Sequence, residues 1–326
     1  MINFADMKRY SYKIAKVLSF IIILVITASC LAHKNNCSRK LQALQNELNE
    51  LVKGKEAKIG IAVIINDEDT IGINQCDTFP MLSVYKFPIA LSLREYAILN
   101  GYNLDSKCRV TSSDLLYDTY SPMLEKYSAI DTVMISIREL LAYSLQQSDN
   151  NASDIILKYQ GGAQYVQRYI DSIGISGICV TSSEAEMYQN HDLCYDNATT
   201  PLAMAELLNK FDNEFTDSMS LGIKQLMESC ETGTDRLASP LTHTNAVIGH
   251  KTGTGFTLSD GCLMAINDAG YVHLPNGIKY SIAVFISNSN DDMATTSRII
   301  ANISELVLHY CSTISHENER PMADDR

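Results

Sequence analysis

The spacing of apolar residues changes character twice along this 326-residue chain, and the order of those changes limits the fold more than any other feature. Strand-like runs occur near both ends. Lys58 to Asn66 (KIGIAVIIN), the turn residues Asp67-Glu68-Asp69 and Thr70 to Asn74 read as a β-hairpin. Strand patterns return at Ala246 to Thr252, Ser259 to Ile266 and Tyr280 to Ser287. Between them, from Pro88 to about Leu237, helical spacing dominates, in Ile89 to Leu99, Ile137 to Leu145, Ala152 to Tyr159 and Leu202 to Phe211. Helical patterns also lie outside the strands, at Leu41 to Leu51 and Thr295 to Tyr310. The economical topology is an α/β (α+β) fold in which both termini build one antiparallel sheet, flanked by the terminal helices, with an all-helical domain inserted between its second and third strands. In numbers, 33–87 and 238–316 form the α/β domain, 88–237 the helical domain and 317–326 a tail. Clefts between such domains are common ligand sites.

Residues 1–32 read as an export signal, because Lys8, Arg9, Lys13 and Lys16 precede an apolar run from Val17 to Ala28, followed by Ser29 and Cys30. The run is short for a spanning helix, which needs about 20 apolar residues. Cys30 is also a candidate lipid attachment point, although Thr27 stands where a leucine would strengthen that signal. The expectation is an exported, periplasmic monomer, with a membrane tether through Cys30 as the variant of that expectation. The formal net charge is -12, and removing the signal takes away more base than acid, which argues against nucleic acid as a partner. With 46% apolar residues the remainder can bury a full core. Nine cysteines without a CxxC pair predict no metal site and no particular disulfide.

Three short motifs carry chemistry. In MLSVYKFP, Ser83 and Lys86 stand one helical turn apart, and a serine hydroxyl becomes a useful nucleophile only when a neighbour takes its proton. Pro88 agrees with a helix beginning there. Ser148-Asp149-Asn150 makes a corner between two helical patterns; alone it is also what a helix cap looks like. Lys251-Thr252-Gly253-Thr254 puts a lysine into a strand pattern, which alone also suits a protected edge strand.

Together, and in this order, Ser-x-x-Lys, Ser-Asp-Asn and Lys-Thr-Gly resemble the signature of class A serine β-lactamases and penicillin-binding proteins. The resemblance spans nearly the whole chain after the signal, with 65 residues from Ser83 to Ser148 and 103 from Ser148 to Lys251. It implies a serine β-lactamase that opens the lactam amide of penicillins and cephalosporins through an acyl-enzyme on Ser83, confers antibiotic resistance and needs no cofactor beyond a catalytic water. Lys86, or a water held by Glu184, would take the Ser83 proton. Ser148 would protonate the lactam nitrogen. Asn150, Thr252, Gly253 and Thr254 would bind substrate, with Lys251 favouring its carboxylate. Glu184, in TSSEAEMYQN, matches the family's deacylation base; Glu186, four residues before Asn190, is the rival.

The sequence departs from the family in places. The arginine-aspartate pair that staples the glutamate loop is replaced by Ser182 and Asn197, as in an extended-spectrum branch to which this chain is similar. The usual carboxylate-binding arginine after Lys251 is Gly261, and Arg236 is the candidate replacement. Tyr120 resembles the aromatic wall of the cleft. Leu82 and Gly255 stand where the carbapenem-hydrolysing branch has a disulfide, which lowers that expectation. Two rivals share the motifs: a D-alanyl-D-alanine carboxypeptidase or transpeptidase, which has no need of Glu184, and a membrane-tethered β-lactam sensor, for which only 16 residues precede the apolar run.

Overall fold

The computed structural model describes residues 39–314; the export signal with Cys30 and the whole 317–326 tail lie outside the described residues. Residues 39–46 are a helical piece, and a compact unit from Glu47 onward, opening with the end of that helix (α1, 39–52), carries everything below. Among the described residues no helix is long and apolar enough to cross a membrane.

The hairpin β1 (Lys58–Ile65) and β2 (Asp69–Ile73) turns through Asn66 and Asp67, both at positive φ, where Asn and Asp are tolerated. A two-residue strand β3 (Phe79–Pro80) leads to a 3₁₀ turn, Leu82–Tyr85, that runs directly into α2 (Lys86–Leu99). Next come β4 (Lys107–Thr111), α3 (Leu124–Tyr127), β5 (Thr132–Ser136), α4 (Ile137–Leu145), α5 (Asn150–Gln160) and α6 (Ala163–Ser172). They are followed by β6 (Ile178–Cys179), α7 (Glu184–Gln189), β7 (Ala198–Thr199), α8 (Pro201–Glu214) and α9 (Ser218–Glu228). The chain then returns as β8 (Val247–Thr254), β9 (Leu263–His273) and β10 (Lys279–Ser289), and α10 (Met293–Ile314) ends the described residues.

The main sheet has the order β2-β1-β10-β9-β8, antiparallel throughout, so strands from both ends of the chain are neighbours. Helices α8 and α10 pack on it, which explains why β1 and β10 are continuous apolar runs rather than alternating ones.

Two expectations are corrected here. The middle segment is not all-helical: β4 pairs with β5, and β6 with β7, which also takes β3. The burial of β4 does alternate, but five residues are too few to outweigh the helical patterns around them, and two-residue strands have no period to read. Strand β9 does not stop at Ile266 but runs on through Asn267-Asp268-Ala269-Gly270 to His273. Those residue types ordinarily favour turns. Here both polar side chains are fully buried and hydrogen-bonded, so tertiary contacts override the local preference.

Candidate active site

Ser83 is the second residue of the 3₁₀ turn, and the Lys86 backbone N–H donates to the Ser83 carbonyl, so the two side chains rise from one tight turn. The residue before the serine is strained: Leu82 has φ 47°, a region that costs a non-glycine residue about 1–3 kcal/mol. The strain is held from several directions. Asn267 Nδ2 donates to Pro80 O at 2.9 Å and Met81 O at 3.1 Å, and the Met81 N–H donates to Asn197 O at 2.8 Å. Strand β8 lies against this turn at Gly253, where a Cβ would stand 2.6 Å from Met81 O. Only glycine allows that approach.

The Ser148 corner is also strained, with φ 60°. It is fixed by Asp149, fully buried, whose carboxylate accepts from Ser121 Oγ (2.8 Å), Met123 N (2.7 Å) and Ala152 N (2.8 Å) and so caps α5. Burial raises the Asp149 pKa above the usual range, and those donors oppose the rise.

One ammonium joins the corner to the nucleophile turn and to α7. Lys86 is fully buried, and its Nζ lies 2.7 Å from Ser148 O, 2.6 Å from Asn150 Oδ1 and 3.1 Å from Glu184 Oε1. A lysine has three protons to offer, and three acceptors face it. The ion pair with Glu184 is set off the hydrogen-bond line, so that buried oxygen has no aligned donor among the described residues. Lys251 is likewise fully buried and donates to Ser148 Oγ at 2.9 Å and Thr252 O at 3.0 Å. Burial lowers the Lys251 pKa to about 7, the Lys86 charge acting in the same direction while Cys230, Asp268 and Glu184 oppose it.

The two candidate acids part company. Glu186 closes a capping box at the start of α7, its Oε2 accepting from Ser183 N at 2.8 Å and Ser183 Oγ at 2.9 Å. Glu184 instead turns inward. Its backbone N–H and that of Ala185 donate, each at 2.8 Å, to the two oxygens of Asp154 on α5. Burial, with the Glu184 carboxylate adding to it, raises the Asp154 pKa to about 7. In place of the missing ion pair, the fully buried Asn197 amide staples the loop: Oδ1 accepts from Thr181 N (2.8 Å) and Ser182 N (3.0 Å), and Nδ2 donates to Ser182 O (2.8 Å).

These groups surround a pocket of about 460 Å³, lined among others by Ser83, Ser148, Asn150, Glu184, Thr252 and Thr254. The exposed Tyr120 also lines it, as do Tyr188 and a ring pair, His191 and Phe256, with centroids 4.7 Å apart. Gly253 serves as space rather than wall. Arg236 is buried behind β8, donating to Gly253 O (3.1 Å), Asn267 O (3.0 Å) and Thr254 Oγ1 (2.7 Å), so its link to the pocket runs through the Thr254 hydroxyl. Asn150 is held at both ends, since its Nδ2 donates to Thr119 Oγ1 at 2.8 Å. Asn267 and Asp154, which position the two halves of the site, escaped the sequence reading. Their signal was weak: a polar residue inside a strand, and an acid on a helix face that also carries Asn150, Asn151 and Lys158.

Comparison with known proteins places the chain in a family. Residues 43–311 match the model of the "Beta-lactamase enzyme family". A β-lactamase of Phocaeicola vulgatus is 35% identical over 299 residues, covering 90% of this chain and 92% of the relative. A class A β-lactamase from Bacteroides cellulosilyticus superposes with a TM-score of 0.79 at 36% identity, over 83% of this chain and 98% of its own. The TLA-1 extended-spectrum β-lactamase does so with a TM-score of 0.79 at 34% identity, over 82% and 98%.

Proposed function

This chain belongs to the β-lactamase enzyme family, in class A, and we propose that it hydrolyses penicillins and cephalosporins through an acyl-enzyme on Ser83. The observation that carries the assignment is the Lys86 ammonium, which touches Ser148, Asn150 and Glu184 at once and rises one turn from Ser83. Ser83 Oγ attacks the lactam carbonyl, its proton passing to Lys86 as Lys86 hands one of its own to Glu184, or passing to a water on Glu184. The backbone N–H groups of Ser83 and Thr254 stabilise the oxyanion, where one lost donor costs roughly 10² to 10³ in rate.

Ser148, with Lys251 on its hydroxyl, protonates the departing nitrogen. Asn150 and Thr252 receive the substrate's polar groups, and Tyr120 borders its side chain. The carboxylate meets Thr254 and Lys251, with Arg236 holding the Thr254 hydroxyl in place. Glu184 then takes a proton from water, which attacks the ester, a general-base role worth roughly 10² to 10⁴. Cephalosporins fit the Thr254 hydroxyl and the branch similarity. Acting in the periplasm as a monomer, free or tethered through Cys30, the enzyme would protect its host from these drugs.

The test is steady-state hydrolysis of a penicillin, an oxyimino cephalosporin and a carbapenem side by side. Catalytic turnover of the first two, with slower turnover of the third, is expected. A covalent adduct that wild type never clears would replace the reading with a penicillin-binding one.

A further inference from the structure

The catalytic pocket changes chemistry along β8. Thr252 and Thr254 both line it, and so does Phe256, two residues beyond the end of the strand. Side chains two apart share one face of an extended chain. Pairing with β9 keeps the chain extended past β8, since Gly255 N donates to Ala265 O and Met264 N to Phe256 O, each at 2.9 Å. At Thr252 the groups are hydroxyls and an ammonium: Thr232 Oγ1 lies 2.6 Å from Thr252 Oγ1, and Lys251 Nζ stands 2.9 Å from Ser148 Oγ. Four residues further on, about 13 Å of extended chain, the lining is aromatic. The Phe256 ring lies 4.7 Å from the ring of His191, centroid to centroid and tilted by 41°. His191 opens the 3₁₀ turn after α7, His191–Tyr195, in which Asn190 Oδ1 accepts the Asp192 N–H at 3.1 Å. The two rings thus join the segment that follows Glu184 to the connection between β8 and β9, and both stay exposed, Phe256 by 39%. A large ring left open inside a binding pocket is contact surface for a ligand.

We propose that the His191–Phe256 pair selects substrates by their acyl side chain, favouring β-lactams that carry a flat aromatic ring there; the proposal rests on the hydrolytic reading of the site and names its preferred substrates. Three anchors fix the direction of a bound penicillin: the lactam carbonyl at Ser83, the carboxylate at Lys251 and the Thr254 hydroxyl, and the side-chain amide at Asn150. In a penicillin the carboxylate and the acylamino group sit at opposite ends of the fused rings. With the carboxylate at the Lys251 end of β8, the acyl group runs toward Phe256. There an aromatic ring of the substrate meets the open part of the Phe256 ring, a contact worth more than the apolar area it buries. His191 packs on Phe256 from the α7 side and holds that ring in place. A substrate without the acyl group gains nothing from either residue.

The test compares benzylpenicillin with 6-aminopenicillanic acid, which has the same fused rings and carboxylate but no acyl group. The readout is kcat/KM or, where an adduct forms and does not clear, the rate of covalent labelling of Ser83. Both report acylation, so a lasting adduct would overturn the hydrolytic reading and still leave the preference measurable. Phe256→Ala is expected to lower the benzylpenicillin value about fivefold and the 6-aminopenicillanic acid value by less than about twofold. His191→Ala should narrow the ratio of the two values by about threefold, and Phe256→Tyr should retain it. Equal losses for the two penicillins would overturn the proposal, because general damage to the pocket does not read the side chain. A ratio unchanged in Phe256→Ala would overturn it too. Neither turnover nor labelling with either penicillin would overturn the proposal and the hydrolytic reading together.

Discussion

On one side of the cleft, the Ser83 turn is clamped by the sheet: Asn267 grips two of its carbonyls, Gly253 lets β8 close on it, and Leu82 stays in a strained backbone region as a result. On the other side, Glu184 rides on a six-residue helix whose first two backbone N–H groups are held to α5 by Asp154, whose pKa lies at about 7. The acylating wall is built into the core, while the water-activating wall adds a titratable contact, Asp154, to the uncharged staple of Asn197. Acylation should therefore be lost by damage to the core charges, and deacylation by much smaller changes.

The strongest way to break this contrast is Lys86→Met, because the Lys86 ammonium reaches charged and polar groups of both walls. It should cost roughly 10⁴-fold or more in kcat/KM, as loss of a member of a cooperating catalytic set does. The melting temperature should fall too, since Glu184 would be buried without its partner. Stopped-flow acylation and thermal denaturation check the two effects. Asp154→Ala should separate the walls. Deacylation is expected to slow by about 10²-fold through misplacement of Glu184, while acylation changes by less than about threefold, measured as a larger pre-steady-state burst. Gly253→Ala tests the opposite wall: its methyl would press on Met81 O, costing about 1–3 kcal/mol of stability in urea unfolding, with acylation slowed and deacylation spared.

The smallest effect is a pH dependence. Because the folded Asp154 pKa is about 7, against 3.8 ordinarily, the unfolded chain holds fewer protons than the native one between pH 4 and 7. Stability contributed by this group therefore falls as pH rises through that window and levels off above it. Asp154→Asn removes the titration. The melting-temperature difference between wild type and Asp154→Asn should drift against wild type from pH 4 to 7 and stay flat beyond; a constant difference would contradict the raised pKa.

What the sequence disclosed, and what it hid, follows the same division. Ser83, Lys86, Ser148 and Lys251 were legible because three short motifs occurring in order resemble a family signature, which no one of them does alone. The strands β1, β8 and β10 and the helices α2, α5 and α8 were legible from apolar periodicity. Hidden were the groups that work by burial. Asn267 and Asp268 fell outside the expected strand, which ended at Ile266, because nothing local says that Pro80, Met81 and His250 wait for them across the sheet. Arg236 was visible as a charge, but its depth behind Thr254 was not. The short pairs β4–β5 and β6–β7 form from contacts made at a distance along the chain, with too few residues to leave a pattern.

Time-resolved intact-mass measurement of Glu184→Gln mixed with a penicillin probes the division of labour most directly. A wild-type adduct that appears and clears, beside a Glu184→Gln adduct that persists for many wild-type turnover times, is the predicted result. A variant that clears its adduct as fast as wild type would show that the attacking water is activated by some other group.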